Sequence, residues 1–191
     1  MGACSIRPAS QKDAASLGRI SVASWRETYR DIMPRAYLDV LDPVERGARM
    51  RERVADIEAG VGAPLACAFV AEEASAGIVG FVFGGAPQPM RGGEPPAGYD
   101  SELYALYLAP GYERRGIGAR LTHAAARHLQ AAGARSLIVW ALAENPHKAF
   151  YLRLGGTAAL EQTVTIGGEE LREEGFGWPD IGALIARTQP R

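Results

Sequence analysis

The sequence has few cysteines and no strong excess of charge. Its two cysteines, Cys4 and Cys67, are too few for a disulfide framework, so two buried or free thiols are expected. The 21 lysine and arginine residues are balanced by 22 aspartate and glutamate residues, which leaves a formal net charge of −1. Nucleic-acid-binding domains normally carry a basic excess or patch, so no nucleic-acid partner is expected.

Long apolar runs are also missing. No stretch approaches the roughly 18 consecutive apolar residues of a membrane span. The first residues, Met1-Gly-Ala-Cys-Ser-Ile-Arg7, lack the apolar stretch of a signal peptide. We therefore expect a cytoplasmic protein without a membrane partner. At 191 residues the chain is expected to form one domain, with a core over about residues 5–178 and an exposed C-terminal tail over residues 179–191.

Among the features present, residues 102–121 are the most informative. A strand-like apolar run leads there into two closely spaced glycines, Gly116 and Gly118, and a helix-like run follows. Glycines let a backbone come close to a ligand, and the unpaired N–H groups at the start of a helix favour an anion. Arg114 and Arg115 add positive charge beside these amides. The combination predicts a phosphate-binding cradle.

Two commoner glycine motifs do not fit these residues. No Lys-Ser or Lys-Thr pair follows the glycines, which excludes the P-loop and its magnesium-binding hydroxyl. The dinucleotide fingerprint would need a third glycine where the sequence has Leu121, and an early strand in a doubly wound sheet. The remaining interpretation is a pyrophosphate site without a metal.

The rest of the sequence alternates strand and helix patterns. We predict strands over residues 5–8, 65–72, 78–83, 100–108, 137–140, 157–166 and 171–178, and helices over residues 11–29, 34–41, 44–58, from the glycines to 132, and 148–154. Residues 84–98, with five glycines and four prolines, form a loop that is either functional or disordered. This order predicts a mixed α/β sheet, largely antiparallel, with one parallel step between the strands at 102 and 137.

Residues 113–118, Glu-Arg-Arg-Gly-Ile-Gly, resemble the acetyl-CoA motif of the GNAT superfamily of N-acetyltransferases. That motif places a Gln or Arg, two variable residues, Gly, one variable residue and Gly or Ala at a strand-to-helix junction. Glu113 departs from it at the first position. The resemblance covers nearly the whole chain, from Ser5 to Trp178. It implies the GNAT fold, with helices around a sheet whose central strands splay apart, and acetyl-CoA as co-substrate.

A cofactor site along the glycine junction follows from this resemblance. Backbone amides from Arg114 to Ala119 would hold the pyrophosphate, and the backbone of the preceding strand would bind the pantetheine arm like an extra strand. The implied cofactor-binding residues are Leu106, Tyr107, Leu108, Arg114, Arg115, Gly116, Ile117, Gly118, Ala119, Arg120 and Asn145. A glycine turn that only packs a helix on a sheet is the alternative.

Residues 145–156 resemble the second motif of the family, in which an Asn precedes a short helix that carries Phe-Tyr. The implied role of Tyr151 is catalytic, as the acid that protonates the departing thiolate, since a phenol with a pKa of about 10 keeps its proton at pH 7. Glu102 stands where several GNAT enzymes carry a catalytic glutamate. It is expected to act as a base on the protonated amine, directly or through water; a bound cationic acceptor or a solvated strand end are the alternatives.

The acceptor site is expected to include Trp25 and Tyr29. Both lie with Val22 on one helical stripe, and residues 24–29 resemble a first-helix motif of many GNAT acetyltransferases, including polyamine-acetylating ones. Such a stripe is usually core. An aromatic wall could also stack on a cation, with Glu27 or Asp31 nearby.

These observations favour an enzyme that transfers an acetyl group directly from acetyl-CoA to a primary amine, without a metal or a covalent intermediate. The expected acceptor is a small molecule such as a polyamine, an amino acid or an amine antibiotic, or else a peptide. The alternative is a non-catalytic acyl-CoA-binding sensor or interaction module on the same fold. The C-terminal hairpin and tail could pair two subunits as a homodimer.

Overall fold

Strands and helices alternate along the chain in the predicted order. The computed structural model describes residues 4–189. The strands are β1 (Cys4–Pro8), β2 (Cys67–Glu73), β3 (Gly77–Gly85), β4 (Glu102–Leu108), β5 (Leu137–Leu142), β6 (Thr157–Ile166) and β7 (Glu169–Trp178). The helices are α1 (Ala14–Thr28), α2 (Arg35–Asp39), α3 (Pro43–Glu58), α4 (Ile117–Ala131), α5 (Ala149–Arg153) and α6 (Ile181–Thr188). Each predicted element is present within a few residues of its expected bounds.

Local chemistry explains where the first helices begin. Ser10 and Asp13 form a reciprocal capping box in the short 3-10 turn that opens α1, and this satisfies N–H groups that a helix start leaves free. Pro43 occupies the first turn of α3, where its missing N–H sacrifices no hydrogen bond. Within residues 4–189, no helix is both long enough and apolar enough to cross a membrane.

All seven strands belong to one sheet, in the order β1-β2-β3-β4-β5-β7-β6. Neighbouring strands run antiparallel except β4 and β5, which are parallel. The predicted mixed α/β fold, with a largely antiparallel sheet and one parallel step, is therefore confirmed.

The sheet opens between β4 and β5. Two residue pairs join these strands, Glu102 with Ile138 and Leu103 with Val139. Beyond Leu103, β4 stays paired with β3, while β5 pairs along its whole length with β7. The other edge of β4 thus has no strand partner, which leaves N–H and C=O groups available to an extended ligand. The implied splay of the central strands is confirmed.

Helices cover both faces of the sheet. On one face, α4 and α6 bury Leu121, Leu129 and Leu184 against the strands. On the other, α1 and α3 bury Leu17 and Val54. The gap between β4 and β5 therefore lies between two helical layers, and each layer can supply residues to it from its own side.

The C-terminal segment differs from the sequence prediction. The prediction of an exposed tail after Trp178 is wrong for residues 181–188, because these residues form α6. The carboxylate of Asp180 caps this helix by accepting the N–H of Gly182 at 2.8 Å. Ile181 and Leu184 are 1% and 0% exposed, because they pack into the core beside α4. An Asp followed by apolar residues at helical spacing is a helix signal that the sequence did contain.

Candidate active site

The junction of β4 and α4 presents free backbone N–H groups. Gly116 is the N-cap of α4 and has a left-handed φ of 77°, which glycine adopts without a steric cost. Arg114 is also left-handed, with φ of 58°. The N–H groups of residues 117–119 have no acceptor inside the helix, because they belong to its first turn. Together with the positive end of the helix dipole, they suit an anion.

Gly118 brings α4 against α5. A Cβ added at Gly118 would lie 3.3 Å from the ring of Phe150, so the ring would have to shift by a few tenths of an ångström to accept a larger residue. The Phe150 ring in turn packs edge-on against Tyr151, with centroids 5.3 Å apart. The second glycine therefore lets the Phe150 ring pack closely against the first turn of α4, beside the residue that precedes Tyr151.

The charged side chains around the cradle point in different directions. The guanidinium of Arg115 lies 4.6 Å from the ring centroid of Tyr112. Burial raises the pKa of the Cys4 thiol on β1, and the charge of Arg120 opposes that rise. Glu113, which departs from the motif, accepts a hydrogen bond from the N–H of Gly111 at 3.0 Å. Its carboxylate therefore stabilises the turn between β4 and α4. Phosphate contacts by either arginine stay a prediction.

The predicted pantetheine-binding residues lie on the open edge of β4. Leu106, Tyr107 and Leu108 pair with β3 on one side and have no partner in β5 on the other. Their side chains divide between the two layers: Leu106 and Leu108 pack on the α4 side, whereas Tyr107 packs on the α1 side. Tyr104 has no partner in β3, since Phe83 pairs with Ala105 and Gly84 with Leu103, and it forms a bulge in β4.

Three tyrosines lie close together where the sheet opens. The ring of Tyr151 stacks on Phe176, with centroids 5.5 Å apart. Burial, and then the neighbouring Tyr107, raise the pKa of Tyr151. Burial, followed by Tyr107 and Tyr151, raises the pKa of Tyr29 as well. Phenols with a raised pKa stay protonated at neutral pH, so these hydroxyl groups can donate a proton.

Asn145 ties α1 to the turn after β5. Its Nδ2 donates to the hydroxyl of Tyr29 at 3.0 Å, and its Oδ1 accepts the N–H of His147 at 2.8 Å. The side chain thus orients Tyr29 and the start of α5. Its predicted contact with a cofactor stays a prediction.

A cavity of about 340 Å³ lies on the α1 side of the opening. Its aromatic wall is made by Trp25, Tyr29, Tyr104, Tyr107 and Trp140. Its polar lining is made by Gln88, Glu102, Gln162 and Glu173. Glu27 and Asp31, the carboxylates expected beside the aromatic residues, are exposed and do not line it. The acidity of the cavity comes from Glu102 and Glu173 instead.

Glu102 is almost completely buried at the start of β4, with 6% of its surface exposed. Its Oε2 accepts the backbone N–H of Gln88 at 2.8 Å. Burial raises the pKa of Glu102 to about 7; the Gln88 hydrogen bond and the charge of Arg53 oppose the rise, and the charge of Glu173 adds to it. A carboxyl group that titrates near neutrality can gain and lose a proton at physiological pH.

Glu173 is a candidate residue that the sequence analysis missed. It lies on β7 opposite Leu142, the last residue of β5, and its Oε2 accepts a hydrogen bond from Gln162 Nε2 at 3.1 Å. Burial raises the pKa of Glu173, against that hydrogen bond. The adjacent Glu174 points to the other face and pairs with Lys148. Nothing in the local sequence distinguishes the two glutamates; only the strand register does.

Trp25 and Tyr29 both line the cavity, as expected for acceptor-binding residues. The indole N–H of Trp25 donates to the hydroxyl of Tyr107 at 2.9 Å, and the guanidinium of Arg46 lies 5.2 Å from the centroid of its ring. A protein cation thus already stacks on Trp25. The role of Trp25 in binding an acceptor stays a prediction that rests on its position.

Comparison with known sequences assigns the family. The FR47-like protein family matches residues 80–165, which include β4, the cradle and α5. An uncharacterized N-acetyltransferase, YuaI of Bacillus subtilis strain 168, is 34% identical over 179 residues, which cover 94% of this chain and 95% of that protein. The chain belongs to the GNAT superfamily of N-acetyltransferases.

Solved structures share the fold. The PaiA N-acetyltransferase from Thermoplasma acidophilum, in complex with coenzyme A, has a TM-score of 0.67 at 20% identity over 90% of this chain and 98% of that one. YncA from Salmonella typhimurium, with acetyl-CoA, has a TM-score of 0.65 at 18% identity over 92% of this chain and 93% of that one. The cradle, the open strand edge and the tyrosine group therefore lie on an N-acetyltransferase fold.

Proposed function

We propose that this chain transfers the acetyl group of acetyl-CoA directly to a primary amine held in the cavity. The acceptor is a small molecule such as a polyamine, an amino acid or an amine antibiotic, or a peptide. One observation carries the proposal: β4 has Glu102 of the cavity at its start and leads into the anion-binding N–H groups at its end. A single strand thus aligns both reactants, and such positioning can contribute roughly 7–11 kcal/mol to catalysis.

The residues present fit coenzyme A. The amides of residues 114–119 suit its pyrophosphate, and a Cβ at Gly116 would meet no atom within 4 Å, so the space before α4 is open. The open edge of β4 at residues 106–108 suits the extended pantetheine arm. When bound, acetyl-CoA supplies an activated acetyl thioester; the protein supplies position and proton carriers.

Tyr151 is the proposed acid. Its raised pKa keeps the proton on Oη at neutral pH, where the phenol can donate it to a thiolate within hydrogen-bond reach. The stack on Phe176 orients the ring, and Phe150, the residue before Tyr151, packs against Gly118 at the start of α4.

Glu102 is the proposed base. An alkylamine with a pKa near 10 is mostly protonated at pH 7 and must lose a proton before it can attack. The carboxylate of Glu102, with a pKa of about 7, can receive that proton directly or through water. The hydrogen bond from the backbone N–H of Gln88 holds Oε2 of Glu102 in place, so Oε1 is left for the acceptor or a water.

A thiol-release assay with acetyl-CoA tests this function. The panel contains polyamines, amino acids, aminoglycosides and short peptides, and binding of CoA is followed in parallel by thermal shift. Stabilisation by CoA together with thiol release on one amine class supports the proposal. Stabilisation without release from any amine favours the non-catalytic sensor, and no effect of CoA contradicts the assignment of the cradle. The cytoplasmic location and the homodimer stay predictions.

A further inference from the structure

The two carboxylates of the cavity have no basic partner among its walls. Glu102 and Glu173 each accept one hydrogen bond, from an uncharged amide donor. Within residues 4–189, no Lys, Arg or His lines the cavity. Arg53, on α3, lies over the rings of Phe83 and Tyr104 rather than against a carboxylate. Glu102 is buried and Glu173 is half-buried. Carboxylates removed from water are normally paired, so a cationic ligand would supply the positive charge that the cavity walls lack.

The neighbouring Glu174 differs from the two cavity carboxylates because it has a basic partner. Glu174, one residue further along β7, accepts two hydrogen bonds from Lys148 Nζ, at 3.1 and 3.0 Å. It faces the other side of the sheet, away from the cavity. The same strand therefore neutralises one glutamate with a lysine and leaves the other, Glu173, with an amide alone.

Strand register separates the two cavity carboxylates. Glu102 pairs with Ile138 on β5, whereas Glu173 pairs with Leu142 on the same strand. These positions differ by four residues, roughly 13 Å along the strands. The side chains of Glu102 and Glu173 line one cavity without a hydrogen bond between them. Both side chains reach into the same cavity from these backbone positions, so two ammonium groups on one flexible chain can each meet one carboxylate.

Building on the proposed function, we propose that the acceptor is an aliphatic diamine or polyamine. Its reacting nitrogen lies at Glu102, its second ammonium group binds Glu173, and its methylene chain runs along the aromatic wall. Trp140 lies on β5 between Ile138 and Leu142, the residues that pair with Glu102 and Glu173, and Tyr29 lines the same cavity. Aromatic faces such as these attract a cation. An α-amino acid does not fit, because its carboxylate would enter a cavity that already holds two acidic side chains.

Length-matched acceptors test this proposal without any mutation. The measurement compares kcat/KM for 1,5-diaminopentane, n-pentylamine and lysine with saturating acetyl-CoA. We expect the diamine to exceed the monoamine by about 100-fold, because the monoamine leaves the half-buried Glu173 without a cation, and lysine to be the poorest of the three. Equal values for diamine and monoamine would overturn the proposal while acetyl transfer itself still stood. No thiol release with any amine would instead contradict the proposed function.

Variants of residues on β6 and β7 test whether the second ammonium group binds Glu173. Glu173→Gln should raise KM for the diamine about 10-fold to 100-fold with kcat within about threefold. For n-pentylamine, kcat/KM should change by less than about threefold above about pH 8, where Glu102 is ionised with or without the charge of Glu173 that helps to raise its pKa. Glu161→Gln is the matched control, since that exposed carboxylate lies on the same hairpin, 3.9 Å from Arg172, and should change neither acceptor. If Glu173→Gln slows both acceptors equally, Glu173 does not bind a second ammonium group.

Discussion

The cradle and the cavity are built from different parts of the chain. The cradle uses the backbone of a few consecutive residues around Gly116 and depends on their φ angles. The cavity uses side chains from α1, four strands and the loop before β4. A backbone site tolerates changes of side chain, whereas a side-chain site can change its ligand through one substitution. This protein therefore keeps the part suited to a common co-substrate apart from the part suited to a particular acceptor.

The largest effect is expected at Tyr151, the proposed acid. Tyr151→Phe keeps the ring that stacks on Phe176 and removes the hydroxyl proton, so kcat should fall by about 100-fold or more. Affinity for acetyl-CoA should change by less than about threefold, because the cradle is untouched. Saturation kinetics and calorimetric titration measure the two quantities. Unchanged turnover at saturation would remove Tyr151 from the mechanism.

Glu102→Gln tests the cavity side through its pH profile. The groups around this carboxylate are Glu173, Arg53 and the N–H of Gln88, and its pKa is about 7. The wild-type kcat/KM should rise with pH through about 7 as the base loses its proton. The variant should lose that rise and be slower by about 10-fold to 100-fold above pH 7. An unaltered profile would rule out Glu102 as the base.

The same substitution should stabilise the fold at alkaline pH. The pKa of Glu102 is about 7 in the folded protein against an ordinary value of 4.5, so the folded state holds the proton more tightly than the unfolded state. Stability is then full below about pH 4.5 and falls as pH rises through 7, by at most about 3 kcal/mol. Glu102→Gln should therefore melt at a higher temperature than the wild type at pH 8, and no higher at pH 4. A lower melting temperature at pH 8 would contradict the burial argument.

A smaller effect is expected at the cradle. The Cβ of alanine at position 116 would meet no atom within 4 Å. Gly116→Ala should therefore lower the stability of the fold only through the left-handed φ of 77°, by about 1–2 kcal/mol. Strain at the N–H groups should weaken CoA binding by about 5-fold to 10-fold and leave KM for the acceptor unchanged. Gly168→Ala, with φ of 86° and equally open space in the β6–β7 turn, is the control: it should cost similar stability and leave CoA affinity intact.

Trp25→Phe should have the smallest effect. It keeps an aromatic ring in the cavity wall and removes the indole N–H that holds the hydroxyl of Tyr107. We expect KM for the acceptor to rise by about threefold to tenfold, since one hydrogen bond is lost, with CoA affinity unchanged. A change in CoA affinity equal to the change in acceptor KM would mean that Trp25 supports the fold rather than the acceptor.

The contrast between the two sites also explains what the sequence could reveal. Gly116, Gly118 and Tyr151 stand in short motifs whose chemistry depends on neighbours in the chain, so the location of the cradle and of the Phe-Tyr helix could be inferred directly. The strand order could be inferred because apolar runs, glycine turns and helix caps are local signals as well.

Glu173 could not be found in this way. Four glutamates, at residues 169, 170, 173 and 174, lie on β7, and a shift of one residue in pairing would exchange the faces of Glu173 and Glu174. The register against β5 and the bulge between Ala158 and Leu160 decide which glutamate enters the cavity. Helix α6 is a different case: its cap at Asp180 and its apolar spacing were present in the sequence.

If acetyl-CoA binds along β4 as proposed, it should hold the two halves of the open sheet together. Two residue pairs join the strands β1–β4 to the strands β5–β7, so an extended ligand along β4 would act as a missing strand between two half-sheets. Stability should then depend on the concentration of acetyl-CoA, rising by about 2.7 kcal/mol at 100 times the dissociation constant. Amide hydrogen exchange at Leu106 and Leu108 should slow most, because their N–H groups face the open edge and would gain an acceptor when the ligand binds. The N–H of Tyr107 points to β3, as does that of Ala109, which donates to the carbonyl of Val79.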